Sequence, residues 1–219
     1  MDITYLDGSS FLLRGRDASL IINPAPGAAA ARGAAPDVVT VSCLEDVSDE
    51  GAGDAESAPG KTLTRPGEYE ISGVLIRGIR PATPPANHKT VVYLITMDGV
   101  RLCHLGHLSQ ALSGAEVGEL SAADVVFVPV SGQGTLAPGV ASEVLASLSP
   151  RLVIPMWYPS ALPGQQMQLG TTPDQSVDGG DIGPFLNEVG ATQLEPQPRL
   201  SVTPTSMPAE REVVVLQPQ

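Results

Sequence analysis

Positive charge, cysteine, aromatic rings and long apolar runs are all scarce in this chain, and each scarcity excludes something. Twelve Lys and Arg stand against 24 Asp and Glu, giving a formal net charge of -12. Partners bound through phosphates are recognised mainly by Lys and Arg neutralisation, so nucleic acid and anionic membrane surfaces are excluded as partners. The basic residues, among them Arg14, Arg16, Arg77, Arg80, Lys89 and Arg101, are also scattered along the chain. The acidity is a solubility feature. Cys43 and Cys103 are the two cysteines, too few for a disulfide framework and not in a CxxC pair. No segment approaches the roughly 18–20 apolar residues of a membrane-spanning helix. The opening runs from Met1-Asp2 straight into Ile3-Thr4-Tyr5-Leu6, without a basic leader or apolar signal core. The expected compartment is the cytoplasm, with both cysteines as thiols.

What is present suits a globular domain. The 219 residues are 42% hydrophobic, enough for a normal core, and are expected to form one domain over residues 1–219. With 23 Gly and 21 Pro, many tight turns and short strands are expected. Strands are predicted at 3–14 (with a turn at Asp7-Gly8), 18–23, 37–42, 62–64, 68–71, 74–79, 90–97, 100–104, 124–130 and 151–156. Two final strands are predicted at 200–203 and 212–216. Helices are predicted at 113–120, 137–148 and 185–189, the second with Val140, Val144, Leu145 and Leu148 on one face. Residues 27–36, 49–61 and 159–184 read as loops. Hairpins first, then strand–helix–strand units, imply a layered α/β or α+β domain around a sheet sandwich.

Several segments, in register from one end of the chain to the other, resemble one group of the metallo-β-lactamase superfamily, the small zinc-dependent hydrolases of the β-lactamase fold. Ile3–Leu12 (ITYLDGSSFL) is similar to that group's "ITWLGHSSFLI" opening. Asp37–Ser42 (DVVTVS) is similar to its "ADIVTVS" strand, and Arg65–Val74 (RPGEYEISGV) to "GPGEYEIGGV". Arg101–Gly106 (RLCHLG) resembles "RVCHLGD". Val153–Met156 followed by Tyr158 resembles "VIPMHY", and Met207–Leu216 resembles "LPEETEVVVL". The resemblance implies a four-layer αββα sandwich with metal ligands on loops at one edge of the two sheets.

Those ligands are needed for a definite reason. A catalytic zinc takes about three imidazole or carboxylate ligands and an open position for water, whose pKa it lowers to about 7. At the positions where the resemblance implies ligands, this chain carries other residues. The box after Ser42 reads Cys43-Leu44-Glu45-Asp46-Val47-Ser48. Cys43 and Glu45 stand where the first two histidines are implied, Val47 where the aspartate is, and Ser48 where the last histidine is. His107 replaces the aspartate of "HLGD", Trp157 replaces the histidine of "PMHY", and Gly8 replaces the histidine of "GHSS". The loop Pro81-Ala82-Thr83-Pro84-Pro85 has no histidine at the implied place. A two-metal centre is therefore not expected.

Three readings follow from the relict pocket of Cys43, Glu45, Val47, Ser48, His107 and Trp157. The first is a non-catalytic binding or scaffolding homologue, with no catalytic or cofactor-binding residues and no metal. A protein partner or a homo-oligomer stays open, and no small-molecule ligand is named. The alternative is a metal-dependent hydrolase with one zinc ion remodelled onto Cys43, Glu45 and His107, with His88 as a fourth ligand. A third, weaker reading is a small-ligand pocket lined by Trp157, whose indole is expected to fill the former metal site. His104 is expected to be a hydrogen-bonded packing residue. A Cys43 thiol paired with His104 or His107 is conceivable as a nucleophile, but no cysteine-protease signature surrounds it. Ser9-Ser10 and Ser131–Gly134 could offer backbone N–H groups to an anion, though small residues before a helix ordinarily serve as turn and cap.

Overall fold

A computed structural model describes residues 1–24, 35–43, 61–82, 90–130, 134–157, 182–192 and 194–219. Alternating apolar residues build the first sheet. Its early strands are β1 (Asp2–Asp7), β2 (Ser10–Arg14), β3 (Ser19–Ile22), β4 (Val38–Thr40) and β5 (Lys61–Leu63). The second sheet is built from β6 (Gly67–Ile71), β7 (Val74–Ile79), β8 (Val92–Met97), β9 (Val100–His104), β10 (Val125–Pro129) and β11 (Leu152–Met156). Two short strands, β12 (Leu200–Ser201) and β13 (Glu212–Val213), add one edge to each sheet. The orders are β12-β1-β2-β3-β4-β5 and β13-β11-β10-β9-β8-β7-β6.

The two sheets face each other. Ile3, Phe11, Leu13, Leu20 and Ile22 from the first meet Ile76, Tyr93, Ile95, Leu102, Phe127 and Ile154 from the second in one buried cluster. Phe11 and Phe127 touch across the interface with ring centroids 4.5 Å apart. Burying a side chain of this size contributes roughly 1.5–3 kcal/mol, so this interlayer is the dominant stabilising element. A smaller cluster, Leu6, Leu12 and Ile21, lies on the other face of the first sheet. That split follows from the two-residue period of a strand.

β9, β10 and β11 run parallel, and β10 and β11 are buried along their whole length. Such strands need cover on both faces. The cover comes from α1 (Gly114–Leu120), α2 (Pro138–Leu148) and α3 (Gly183–Glu188), which packs on α2. Ser113 and Glu116 close α1 with a capping box, two orphan N–H groups satisfied reciprocally. α2 buries Ala141, Val144, Leu145 and Leu148 on one stripe. Pro155 sits inside β11 without disturbing a ladder: the Val153 carbonyl accepts the Val214 N–H, and β13 ends before an N–H would be required of Pro155. The architecture is the four-layer αββα sandwich that the resemblance implies.

Some boundaries differ from the pattern. β8 begins at Val92, because Thr90 makes an isolated bridge with Cys43 instead. The last two strands are shorter than 200–203 and 212–216. Val202 bonds back to Met1, and the chain after Val213 turns to exchange bonds with Gln197. The third helix starts at Gly183, with Pro184 in its first turn, where a missing N–H costs nothing. Among the described residues, no helix is long and apolar enough to cross a membrane.

Candidate functional site

The carboxyl ends of β4, β9 and β11 and the turn between β1 and β2 meet at one edge of the sandwich. Ligands in sheets of this kind gather at such ends. Two tiers of residues occupy it.

The lower tier is a buried polar network. His104, wholly buried at the end of β9, has its Nε2 3.0 Å from the Ser9 carbonyl. Its Nδ1 accepts the Gly106 N–H at 3.2 Å and lies 3.3 Å from Ser42 Oγ. A ring nitrogen that accepts from a backbone N–H carries no proton, so the neutral tautomer has its proton on Nε2 and donates it to Ser9. Burial is the largest cause of a pKa pushed down to about 3, opposed by the Ser9 bond and reinforced by His107. Asn23 links the same elements: its Nδ2 donates to Ser9 Oγ at 2.9 Å, and its Oδ1 accepts the Ser42 N–H at 2.6 Å. Gly106 is held close over Thr90 and Ser42. A Cβ there would lie 2.9 Å from Thr90 Oγ1 and 3.0 Å from Ser42 Cβ, with φ at +58°.

The upper tier holds the residues at the implied ligand positions. Cys43 is buried and bridges Thr90, whose Oγ1 accepts the His107 N–H at 3.2 Å. Thr90 thus brings Cys43 and His107 into one neighbourhood. Half-buried His107 meets the edge of the half-buried Trp157 ring, with centroids 4.8 Å apart at 61°. The backbone N–H of Trp157 donates to the Gly8 carbonyl at 2.8 Å. A Cβ on Gly8 would lie 3.4 Å from Trp157 Cζ3, so the indole covers that glycine. Trp157 adopts φ 63°, left-handed backbone for a bulky residue. Such a conformation costs on the order of 1–3 kcal/mol and persists only where the surroundings hold it. Its Nε1 is buried with no hydrogen-bond partner among the described residues.

The donor chemistry of this tier does not fit a two-metal centre. Gly8 has no side-chain donor, and the indole nitrogen has a proton but no lone pair to give. His104 already uses both ring nitrogens. Cys43 and His107 remain competent ligands. Among the described residues, no group of three or more His, Cys, Asp or Glu side chains gathers as a metal site. Glu45, Val47, Ser48 and His88 lie outside the described residues, as do residues 131–133 of the Ser131–Gly134 segment.

Of the positions read from sequence, the structure therefore brings Cys43, His107, Trp157 and Gly8 to one edge. His104 is the hydrogen-bonded packing residue expected, and with both nitrogens engaged it is not a base for Cys43. Ser9 serves the edge through its carbonyl and hydroxyl. Asn23 and Thr90 were not singled out by sequence. The signals available were an asparagine closing a strand, here at φ 46°, and a polar residue opening one.

A profile of the beta-lactamase superfamily domain matches residues 2–157. The chain belongs to the metallo-β-lactamase superfamily. A "UPF0173 metal-dependent hydrolase" from Archaeoglobus fulgidus is 33% identical over 66 residues, 30% of this chain and 29% of that protein. This chain's match thus spans less than a third of that relative's length. A protein from Thermotoga maritima, assigned to the Zn-dependent hydrolases of the superfamily, superposes over 100% of this chain and 99% of its own, with TM-score 0.75 and 26% identity. Igni18, a metallo hydrolase from Ignicoccus hospitalis, superposes over 99% of this chain and 95% of its own, with TM-score 0.66. At 18% identity it speaks for the metallo-β-lactamase fold alone.

Proposed function

We propose that this metallo-β-lactamase-fold chain is a non-hydrolytic binding or scaffolding protein. The observation that carries the reading is Trp157: an indole lies over Gly8 and against His107, at the place where the resemblance implies an imidazole. Hydrolysis in this fold depends on a metal that lowers the pKa of bound water and on ligands that hold the metal by lone pairs. The indole offers an apolar ring and a donor N–H instead. A fold by itself does not fix an activity.

A second reading has a specific observation behind it. Thr90 gathers Cys43 and His107, two competent ligands, and the relatives above carry metal-dependent hydrolase names. On that reading Cys43, Glu45 and His107, with His88, hold a single zinc ion. Cys43 thiolate and His107 imidazole would supply its ligands, and the ion would supply Lewis acidity. The test is turnover of phosphoester, lactone and amide substrates with Zn(II), Mn(II) or Fe(II) added. No rate above the protein-free control is expected. Metal-dependent turnover that disappears in Cys43→Ala and His107→Ala would replace the first reading with the second.

A further inference from the structure

Among the described residues, the second sheet ends in a strand with one open edge, whose chemistry selects a partner. β6 pairs there with β7 alone. The connection is the two-residue turn Ser72-Gly73, with both residues at positive φ (50° and 75°), so Ile71 and Val74 flank a type I′ hairpin as a hydrogen-bonded pair. Alternation along the ladder then assigns Ile71, Tyr69 and Gly67 to bonds with β7. The N–H and C=O groups of Glu68 and Glu70 point away from β7, along the open edge. An edge of this kind is a template for another strand.

The side chains beside that edge are equally specific. Glu68 and Glu70 are exposed on the outer face, opposite Arg77 and Leu75. Leu75 is 49% exposed, the one large hydrophobic residue so open among those described. A cleft of about 240 Å³ runs between Glu68, Leu75, Arg77, Leu94 and Thr96. Arg77 is already engaged by Glu68 at 3.5 Å and by Glu119 at 3.0 Å. Further along this face, Arg101 is engaged by Asp124 at 3.5 Å. Arg77 is thus already paired with two carboxylates, and Glu70, opposite Leu75, adds a third to an acidic rim.

A second copy is disfavoured as the occupant. Any two-fold antiparallel pairing that uses the open groups of residues 68 and 70 sets Glu68 opposite Glu68 or Glu70, or Glu70 opposite Glu70. Like charges directly opposite are destabilising. We propose that the β6 edge of this protein takes an extended segment of a different protein as an added strand. That segment carries Lys or Arg at alternate positions to meet Glu68 and Glu70, and apolar residues between them to continue the Tyr69–Ile71 face. This is β-augmentation, with backbone bonds supplying affinity and alternate side chains supplying selectivity. It does not depend on whether the edge near Trp157 binds metal.

The probe is a fluorescent, acetylated Lys-Val-Lys-Val-Lys peptide, measured by anisotropy against the full chain. Binding is expected to weaken at least tenfold in Glu68→Lys/Glu70→Lys and with backbone N-methylation of the peptide. It is expected to be unchanged in Glu143→Lys/Glu188→Lys on the helices, with circular dichroism confirming that both variants fold. Equal loss in both double variants, or indifference to N-methylation, would reduce the effect to bulk attraction by an acidic protein and overturn the proposal. No binding by the unaltered chain would do the same. A wild-type dimer that dissociates in Glu68→Lys/Glu70→Lys would overturn it in favour of a second copy.

Discussion

His104 and His107 stand three residues apart at the end of one strand, yet they belong to different regions. Around His104, four elements are tied by short bonds: the β1–β2 turn through Ser9, the end of β3 through Asn23, the end of β4 through Ser42, and β9 itself. Around His107, an indole on left-handed backbone covers a glycine, and side-chain identity departs from the pattern that the resemblance implies. The lower region holds the sandwich closed; the upper region is where chemistry would be displayed. A fold can therefore keep its scaffold while the residues one layer above it change, because the two layers are held by different forces. The lower one loses stability when any partner is removed. In the upper one the bonds from Trp157 to Gly8 and from His107 to Thr90 are made by backbone N–H groups, which any side chain at those positions would keep.

The largest expected effect comes from removing His104. His104→Ala should cost about 2–4 kcal/mol in urea unfolding, combining lost hydrogen bonds, stranded partners and a cavity. Acid should act on the same residue. Its pKa is about 3 in the folded chain against an ordinary 6.5, so between these values the unfolded chain binds the extra proton. Stability should fall as pH drops below about 6.5, by up to about 1.4 kcal/mol per unit from this group. His104→Asn should flatten that slope in pH-dependent unfolding curves. Next in size is Gly106→Ala. The new methyl would press on Thr90 and Ser42 on left-handed backbone, for about 1–3 kcal/mol, read from the same unfolding midpoint. Smallest is His107→Ala, expected to cost less than about 1 kcal/mol, since the ring is half-buried and the backbone N–H that donates to Thr90 Oγ1 is retained. If His107→Ala destabilised the chain as much as His104→Ala, the division between the two regions would fail.

Much of the scaffold could be read from sequence because its signals are local and periodic. The β10 and β11 runs are apolar throughout, as strands buried on both faces must be, and Asp98-Gly99 and Ser72-Gly73 announce their hairpins. The ends of strands were less legible. Thr90 looks like the start of a strand, but its partner is Cys43, a pairing set by tertiary structure rather than by pattern. At the edge near Trp157 the sequence showed which residues stand at the implied ligand positions, and that the indole there brings no lone pair. It could not show that the indole lies over Gly8, because a left-handed tryptophan has no sequence signature. Nor could it show the Ser9–Asn23–Ser42–His104 network, whose members come from four separate segments.

The most direct test of the account is the elemental content of the untagged chain, purified without added metal and measured by inductively coupled plasma mass spectrometry. Zinc, iron and manganese are expected well below stoichiometric amounts, with no rise in Trp157→His. An ion close to stoichiometric in the unaltered chain, lost in Cys43→Ala or His107→Ala, would contradict it.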